Sequence, residues 1–167
     1  GRINEVGTVT EGLVSGGREV VANGAVLCPG LIDTHAHDDG AFFRHPGMEF
    51  KLSQGVTTVV SGNCGFSAIP ADPTKDSVAA SGGILAGLEG EFTDLDGYYA
   101  AALARQPAIN NMMLVGHNTV RSLVMGDSKS APTDSQLREM QGHVTHALEQ
   151  GACGFSSGLI YRPGRFS

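Results

Sequence analysis

Short runs of β-branched and apolar residues recur along this chain, and the stretches between them space their apolar residues as helices do. The clearest run, Val-Thr-Thr-Val-Val-Ser at 56–61, is typical of a strand buried on both faces. Similar runs at 111–115 and 152–156 predict two further strands. The apolar pair Leu31 and Ile32 predicts a shorter strand that is buried at its start. Four strands are therefore expected after residue 28.

Helical patterns follow the first two strands. Residues 48–54 predict a short helix that ends at Gly55, because glycine accepts the left-handed conformation common just after a helix. The capping pattern at 93–96 predicts a longer helix that ends near Pro107. The apolar positions of this second helix include Leu95, Tyr99 and Leu103.

Two more helical patterns lie between the third and fourth strands. A short helical turn is predicted over 120–125. Thr133 and Gln136 then form a capping box, and the helix that follows them ends at Gly151. One face of this helix carries four apolar residues, namely Leu137, Met140, Val144 and Ala147.

Alternating strands and helices predict an α/β fold with parallel strand pairing, because each helical crossover returns the chain to the same end of the sheet. This order is that of a (β/α)8 barrel, and residues 29–167 would form its first four units. Such a barrel needs ~250 residues. Because the first β-prone segment begins abruptly at the start of the chain and Ser167 falls within a predicted loop, we expect this chain to be the N-terminal half of a longer protein.

Two regions lie outside this alternation. Residues 1–28 contain brief β-prone runs on either side of Asn23-Gly24, a strong hairpin signal, and predict part of a small β domain. These runs are residues 3–9, 19–22 and 25–28. Residues 68–91 are rich in proline and glycine and predict a loop that could hold one helix.

Composition narrows the classes of partner. The net charge is −6 and the 11 Lys and Arg residues are scattered, which argues against a nucleic-acid partner. No apolar run approaches the ~20 residues that span a bilayer, and the N-terminus lacks a signal-peptide pattern, so no membrane partner is expected. Three widely spaced cysteines, Cys28, Cys64 and Cys153, do not suggest a disulfide framework, and we expect a cytoplasmic location.

The first predicted strand leads into the candidate chemistry. His35 and His37 are two residues apart and therefore project to the same side of an extended chain, with Asp33 one step earlier. Two converging imidazoles suit a divalent ion such as zinc, and the Asp33 carboxylate could orient one of them from behind. A His-x-His pair also arises by chance, so other residues near it must decide whether it indicates a metal site.

Cys64 and His117 follow the second and third strands, so both are expected at the edge of the sheet where barrel enzymes hold their active sites. Neighbouring strands are ~4.8 Å apart, which brings the Cys64 thiol within reach of an ion on His35 and His37. Cys64 could instead be an inert core residue, or a nucleophile with His117 as its base. For His117 an active-site role and a purely structural role both remain open.

Other polar residues have simpler interpretations. His143 and His146 fall on a predicted helix and His45 precedes a proline, so none of them is predicted as a ligand. Asp38 and Asp39 are predicted as turn or cap residues.

Four stretches carry a resemblance to a known family. The chain resembles the N-terminal part of the N-acyl-D-amino-acid deacylases (D-aminoacylases) of the amidohydrolase superfamily, in stretches that cover residues 29–39, 54–70, 114–125 and 151–163. Their sequences are PGLIDTHAHDD, QGVTTVVSGNCGFSAIP, LVGHNTVRSLVM and GACGFSSGLIYRP. The His-x-His pair marks the superfamily, whereas GNCG together with LVGHNTVR is more specific to the deacylases.

The resemblance implies a zinc site and a substrate class. It implies Zn²⁺ bound by His35, His37 and Cys64, the cysteine replacing the carbamylated lysine of related hydantoinases. It also implies that Ile160 and Tyr161 contact the substrate, with Asp33, Asn63 and His117 as supporting residues. The family's catalytic aspartate belongs to a late strand that has no match in this sequence.

The implied reaction is hydrolysis of a linear, non-peptide amide: an N-acyl-D-amino acid gives a carboxylate and a free D-amino acid. Two alternatives stay open, a hydrolase of cyclic amides related to hydantoinases and dihydroorotases, and a half-barrel that binds metal without catalysis. The expected partner is a small N-acyl amino acid. The sequence does not define an oligomeric state, but an incomplete barrel would expose strand edges and is expected to associate.

Overall fold

The fold is built on a four-stranded parallel sheet, seen in a computed structural model that describes residues 3, 6–8, 17–72 and 92–166. The strands lie side by side in sequence order and every pair is parallel. They are β1 (Leu31–Asp33), β2 (Val56–Ser61), β3 (Asn110–Gly116) and β4 (Gly154–Ser156). The predicted α/β fold with the first four parallel strands of a barrel is confirmed.

The strands run in one direction, so their carboxyl ends lie at one edge of the sheet, and the register staggers β1, β2 and β3 by two or three residues. Val59 of β2 lies opposite Asn111 of β3, and Leu114 of β3 lies opposite Gly154 of β4. Strands β1, β2 and β4 each end in a bend or turn, and because the strands are parallel these turns gather at the same edge of the sheet.

Five α-helices occur in the described residues. They are α1 (Ala41–Arg44), α2 (Glu49–Leu52), α3 (Leu95–Ala104), α4 (His117–Met125) and α5 (Asp134–Glu149). Helix α2 lies inside the predicted 48–54, and Gly55 follows it with a φ of +81°. Helix α5 begins with the predicted capping box of Thr133 and Gln136. Two short 3₁₀ turns cover Asn63–Gly65 and Gly164–Phe166.

Two helix predictions need correction at their N-termini. Helix α4 begins at His117, three residues before the predicted turn, because the chain passes from β3 into the helix with Gly116 as its N-cap. In α3 the N-cap is Asp94, whose carboxylate accepts the Gly97 N–H at 2.9 Å.

The predicted apolar faces of α3 and α5 are partly wrong. Leu103 is 68% exposed because the buried face of α3 is formed by Leu95, Tyr98 and Ala102, one step around the helix. In α5, Met140 and Ala147 are buried as predicted, but Leu137 is 45% exposed.

Strand β1 is not buried at its start. Leu31 and Ile32 are 55% and 60% exposed, because β1 is an edge strand and pairs only with β2 among the described residues. The expected burial of both faces of β2 is also incomplete, since Val59 and Ser61 are its only fully buried residues.

The core lies where the helices pack against the middle strands. Val59, Met113 and Val115 are fully buried sheet residues. Helical and loop residues cover them, and the aromatic rings of Phe43, Phe92 and Tyr98 contact one another with centroids 5.1–5.5 Å apart. This aromatic cluster joins α3 to the segment after β1, and so supports the edge of the sheet at which the polar turns meet.

The N-terminal predictions fall partly on described residues. Asn23 and Gly24 form the predicted turn with positive φ at both positions, but residues 19–22 and 25–28 form no strand and are exposed. The division into a small β domain and a barrel portion stays a prediction. Most of the predicted loop at 68–91 lies outside the described residues. A search of the described helices finds none with the length and apolarity to cross a membrane.

Candidate metal centre

The end of β1 brings two histidines together. Strand β1 ends at Asp33 and the chain bends at Thr34 and His35, and the rings of His35 and His37 lie with centroids 5.6 Å apart in an edge-on arrangement. The expected extended chain is therefore interrupted by a bend, but the two rings still lie beside each other. His35 is exposed and His37 is half-buried, so one ring faces solvent and the other reaches into the protein.

The turn after β2 presents the third potential ligand. Gly62 and Gly65 have φ values of +78° and +82°, and Cys64 between them is also left-handed at φ +56°. A side chain on Gly62 would clash with the backbone carbonyl of Leu114 in β3, which explains the need for glycine there. This tight turn points the Cys64 thiol toward β1, where its Sγ lies 3.3 Å from His35 Nε2.

Together, His35, His37 and Cys64 form a cluster with the donor chemistry of a zinc site. One ligand atom from each residue lies within 4.8 Å of the other two, and no other such cluster of three or more occurs among the described residues. Imidazole nitrogen and thiolate sulfur are the ligands that zinc prefers. His37 Nδ1 is buried without a hydrogen-bond partner, which is the condition of a donor atom reserved for an ion. The residues present therefore fit a zinc ion.

The electrostatics of His37 favour the ligating form. Burial lowers the pKa of His37, and the nearby charge of His35 lowers it further, whereas Asp38 acts in the opposite direction. A lowered pKa keeps the imidazole neutral at pH 7, and only the neutral ring has a lone pair free for a metal.

Asp33 touches the backbone of a histidine instead of its ring. Its Oδ1 accepts the N–H of His35 at 3.1 Å, and its Oδ2 lies 2.6 Å from the ammonium of Lys51. These two hydrogen bonds, first that of Lys51, hold the pKa of Asp33 below its ordinary value. The sequence analysis expected Asp33 to orient a ligand, and the structure locates that influence at the main chain.

Lys51 is a site residue that the sequence analysis missed. Its ammonium also pairs with Asp38 at 2.9 Å. Burial opposes the charge of Lys51, but its hydrogen bond with Asp33 and its pairing with Asp38 outweigh burial and raise its pKa above the ordinary value. No short motif links a lysine on α2 to the His-x-His pair, so only the folded chain reveals the contact.

Asn63 and Asp39 join the two turns that carry the ligands. Asn63 Nδ2 donates to the carbonyls of Val60 at 2.8 Å and Ala36 at 3.2 Å. Asp39 is fully buried, and its carboxylate accepts the N–H of Ala68 at 3.0 Å and that of Gly62 at 3.3 Å. Asp39 is thus more than the predicted turn residue: it ties the segment after β1 to both ends of the Cys64 turn.

The buried position of Asp39 changes the pKa of its carboxyl group. Burial raises the pKa of Asp39 to about 6, although the backbone hydrogen bonds oppose this shift.

His117 lies apart from the three-residue cluster. It is the first residue of α4, its ring centroid is 6.1 Å from that of Phe155, and it lines an apolar groove between α4 and α5. Burial, and then the charge of Arg121, lowers its pKa. The imidazole in contact with the Cys64 thiol is that of His35, so the geometry gives no support to a Cys64–His117 nucleophile pair.

The loop after β4 carries the two predicted substrate residues. Ile160 is exposed, and Tyr161 is half-exposed with its ring 5.6 Å from that of Phe66, just after the Cys64 turn. Asn118 of α4, which sequence analysis did not single out, is fully buried and donates to the carbonyls of Cys64 and Gly158, each at 3.3 Å. This amide couples the ligand turn to the Tyr161 loop.

Comparisons with known proteins identify the family of this chain. A sequence model of the amidohydrolase family matches residues 18–162. The chain is 45% identical over 147 residues to the N-acyl-D-glutamate deacylase of Alcaligenes xylosoxydans xylosoxydans, a match that covers 88% of this chain and 30% of that enzyme. The chain thus spans about a third of the length of the curated relatives it matches.

Solved structures of deacylases are also similar to this chain. The structure of N-acyl-D-glutamate deacylase from Bordetella bronchiseptica, complexed with zinc and a phosphonate mimic of the reaction's tetrahedral intermediate, matches with a TM-score of 0.69 and 45% identity. That match covers 83% of this chain and 29% of the other. A D-aminoacylase structure concerned with the functional role of a binuclear metal centre matches with a TM-score of 0.67 and 39% identity over the same share of each chain.

Proposed function

Because this chain belongs to the amidohydrolase family, we propose that it supplies the metal ligands His35, His37 and Cys64 of a zinc-dependent hydrolase that deacylates N-acyl-D-amino acids. The observation that carries the proposal is the convergence of these three donors at the carboxyl ends of β1 and β2. The similarity to an N-acyl-D-glutamate deacylase and to a zinc-containing deacylase structure supports the substrate class.

The residues of this chain would prepare the site before substrate arrives. The neutral His37 ring and the exposed His35 ring offer nitrogen donors, and the thiol of Cys64, beside His35, offers sulfur once deprotonated. When bound, zinc supplies two kinds of chemistry, since it polarises an amide carbonyl and makes a nucleophile of water at neutral pH. The buried links through Asn63 and Asp39 hold the two ligand-bearing turns at a constant separation.

The substrate would meet the chain on the β4 side of the cluster. Tyr161 and Ile160 follow β4 on the same edge of the sheet as Cys64, and the Asn118 amide holds their loop against the Cys64 turn. We assign to this loop contact with the acyl-amino acid. His117, beside its apolar groove, has a supporting position in α4 and takes no part in binding the metal.

The first test compares the three cysteines in the protein as its natural gene encodes it. Cys64→Ala should remove bound zinc and hydrolytic activity, because it deletes one donor of the cluster. Cys28→Ala and Cys153→Ala should keep both, since neither belongs to the cluster. Zinc per protein is measured by elemental mass spectrometry. Equal zinc content in the three variants would contradict the assignment of Cys64 as a zinc ligand.

A second measurement separates the deacylase from its alternatives. The wild-type protein is assayed with N-acetyl-D-amino acids, their L-enantiomers and a hydantoin, and its intact mass is recorded. Release of free D-amino acid supports the proposal, whereas ring opening of the hydantoin alone would favour a cyclic-amide hydrolase. Bound zinc without any turnover would favour the metal-binding half-barrel.

A further inference from the structure

One ammonium group, that of Lys51, joins the two carboxylates that flank the metal-binding histidines. It lies 2.6 Å from Asp33 Oδ2 and 2.9 Å from Asp38 Oδ2. Asp33 comes two residues before His35, and Asp38 directly follows His37. We propose that Lys51 is a positioning residue that fixes segment 35–37 for metal binding, an inference that rests on the proposed function.

The path from Lys51 to the first ligand runs through both oxygens of one carboxylate. Asp33 Oδ2 binds the ammonium, and Asp33 Oδ1 accepts the backbone N–H of His35 at 3.1 Å. A carboxylate held at both oxygens has little freedom to rotate, so the main chain at His35 is held in one orientation. Partners behind the ligands act in this way at metal sites, because they fix ligand direction before the ion arrives.

The other end of this link is anchored in the core. The backbone N–H of Lys51 donates to the backbone carbonyl of Met48 at 2.9 Å, and the Met48 side chain is fully buried. The Lys51 side chain itself is only 17% exposed. Met48, at the start of α2, therefore connects Lys51 and the edge strand β1, none of whose residues is fully buried, to the interior of the protein.

Because Lys51 is positively charged, the direction in which zinc affinity changes on its removal tests the inference. If the lysine acted only through its positive charge, its removal would reduce repulsion of a divalent ion and strengthen zinc binding. If it acts by positioning, its removal frees segment 35–37 and weakens zinc binding. The direction of the change in zinc affinity therefore distinguishes the two roles.

The experiment measures the zinc dissociation constant of the natural full-length protein by competition with a chromophoric chelator. Lys51→Met should weaken zinc binding by about 10-fold or more, the usual cost of losing such a partner. Lys129→Met, which removes an exposed lysine outside the network, is the matched control and should bind as wild type does. Thermal unfolding of the metal-free proteins checks that the Lys51→Met substitution acts on the site and not on the whole fold.

Two further variants complete the test. Lys51→Arg keeps the charge but alters the contact geometry, and should fall between wild type and Lys51→Met. In an Asp33→Asn background, the loss caused by Lys51→Met should shrink to less than half, because the link to His35 is already weakened. A change in the Co²⁺ absorption spectrum of Lys51→Met, reporting altered ligand geometry, is also expected.

The outcomes separate this inference from the proposed function. Wild-type protein that binds no zinc overturns both. Zinc binding by wild type with equal or tighter binding by Lys51→Met overturns the positioning role alone, as does an undiminished loss in the Asp33→Asn background. If Lys51→Met does not fold, the arginine variant decides, and wild-type affinity in it would overturn the inference.

Discussion

Single residues set the distance between the Cys64 turn and the loop that follows β4. Gly158 lies so close to Cys64 that a Cβ atom at position 158 would clash with the Cys64 carbonyl oxygen. The Asn118 amide donates to the carbonyls of both residues, so the two segments are drawn together as well as closely packed. Glycine is required here for close approach of two backbones and not for a special φ value.

Gly158→Ala should therefore destabilise the protein, whereas the same change at an open position should not. Overpacking against backbone costs about 1–3 kcal/mol of the free energy of unfolding. Gly142 lies in α5 with nothing within 4 Å of an added Cβ, so Gly142→Ala should instead stabilise by about 0.5–1 kcal/mol. Urea unfolding of the two variants and wild type measures both effects. A Gly158→Ala protein as stable as wild type would contradict the close approach.

At this scale the sequence predicted those site residues that depend on local spacing. His35 and His37 were candidates because of their two-residue spacing, and Cys64 because of its place after a strand, and the structure brings the three together. Lys51, Asp39 and Asn118 could not be predicted, because their partners lie 18 to 54 residues away along the chain. Such contacts depend on how α2 and α4 pack, which no local pattern encodes.

At the scale of elements, helix α3 shows what fixes the start of a helix and ties it to a neighbour. Asp94 is the N-cap, with extended backbone angles and a carboxylate that accepts the Gly97 N–H. Its other contacts, with Gln150 and with His146 at 3.6 Å, tie the start of α3 to the end of α5. The buried face contains Leu95, Tyr98 and Ala102 instead of Leu95, Tyr99 and Leu103, so Leu103 was wrongly expected in the core.

Asp94→Ala should lower the free energy of unfolding by about 1 kcal/mol at pH 7, the usual cost of losing an N-cap. The hydrogen bond from Gly97, then that from Gln150, lowers the folded pKa of Asp94 below its ordinary value of 3.8. The ionised cap therefore stabilises the fold above pH 3.8, and this contribution is lost as the pH falls through the lower, folded pKa.

Urea unfolding between pH 7 and pH 3 checks this dependence. The difference between wild type and Asp94→Ala should be constant at neutral pH and shrink below pH 4. Asp127→Ala, which removes an exposed aspartate outside any helix, serves as the control and should leave stability nearly unchanged at every pH. A difference that persists undiminished at pH 3 would mean that the charge of Asp94 does not contribute.

At the scale of the whole molecule, the described residues form an open sheet whose parallel pairing was predicted from the alternation of strands and helices. That alternation fixes parallel pairing and right-handed crossovers, so the topology was predictable even where helix limits were not. The N-terminal β-prone runs show the opposite case. Residues 19–22 and 25–28 are exposed and form no strand, because β propensity mostly reflects packing against a neighbour and the described structure gives these residues none.

The open edges predict how a chain of these 167 residues behaves alone. Strands β1 and β4 each pair on one side only among the described residues, and both edges carry exposed apolar side chains, with Ile32 at 60% and Phe155 at 50% exposure. Unpaired backbone groups beside apolar side chains are a template for association. We expect the isolated chain to form oligomers at micromolar concentration instead of a 17.3 kDa monomer. Light scattering coupled to size-exclusion chromatography measures this directly.

Charged substitutions show whether the edges are responsible. Phe155→Lys and Ile32→Lys should each reduce association, because a lysine on an edge strand disfavours pairing with another chain. Leu103→Lys should not reduce association. Leu103 is also an exposed apolar residue, but it lies in α3, where the backbone hydrogen bonds are satisfied within the helix. Reduced association in the Leu103 variant alone would locate the contact on the helical surface. A monodisperse monomer of the wild-type chain would show that these edges are too short to pair. The three variants thus separate exposed apolar area from open strand edges as the cause of association.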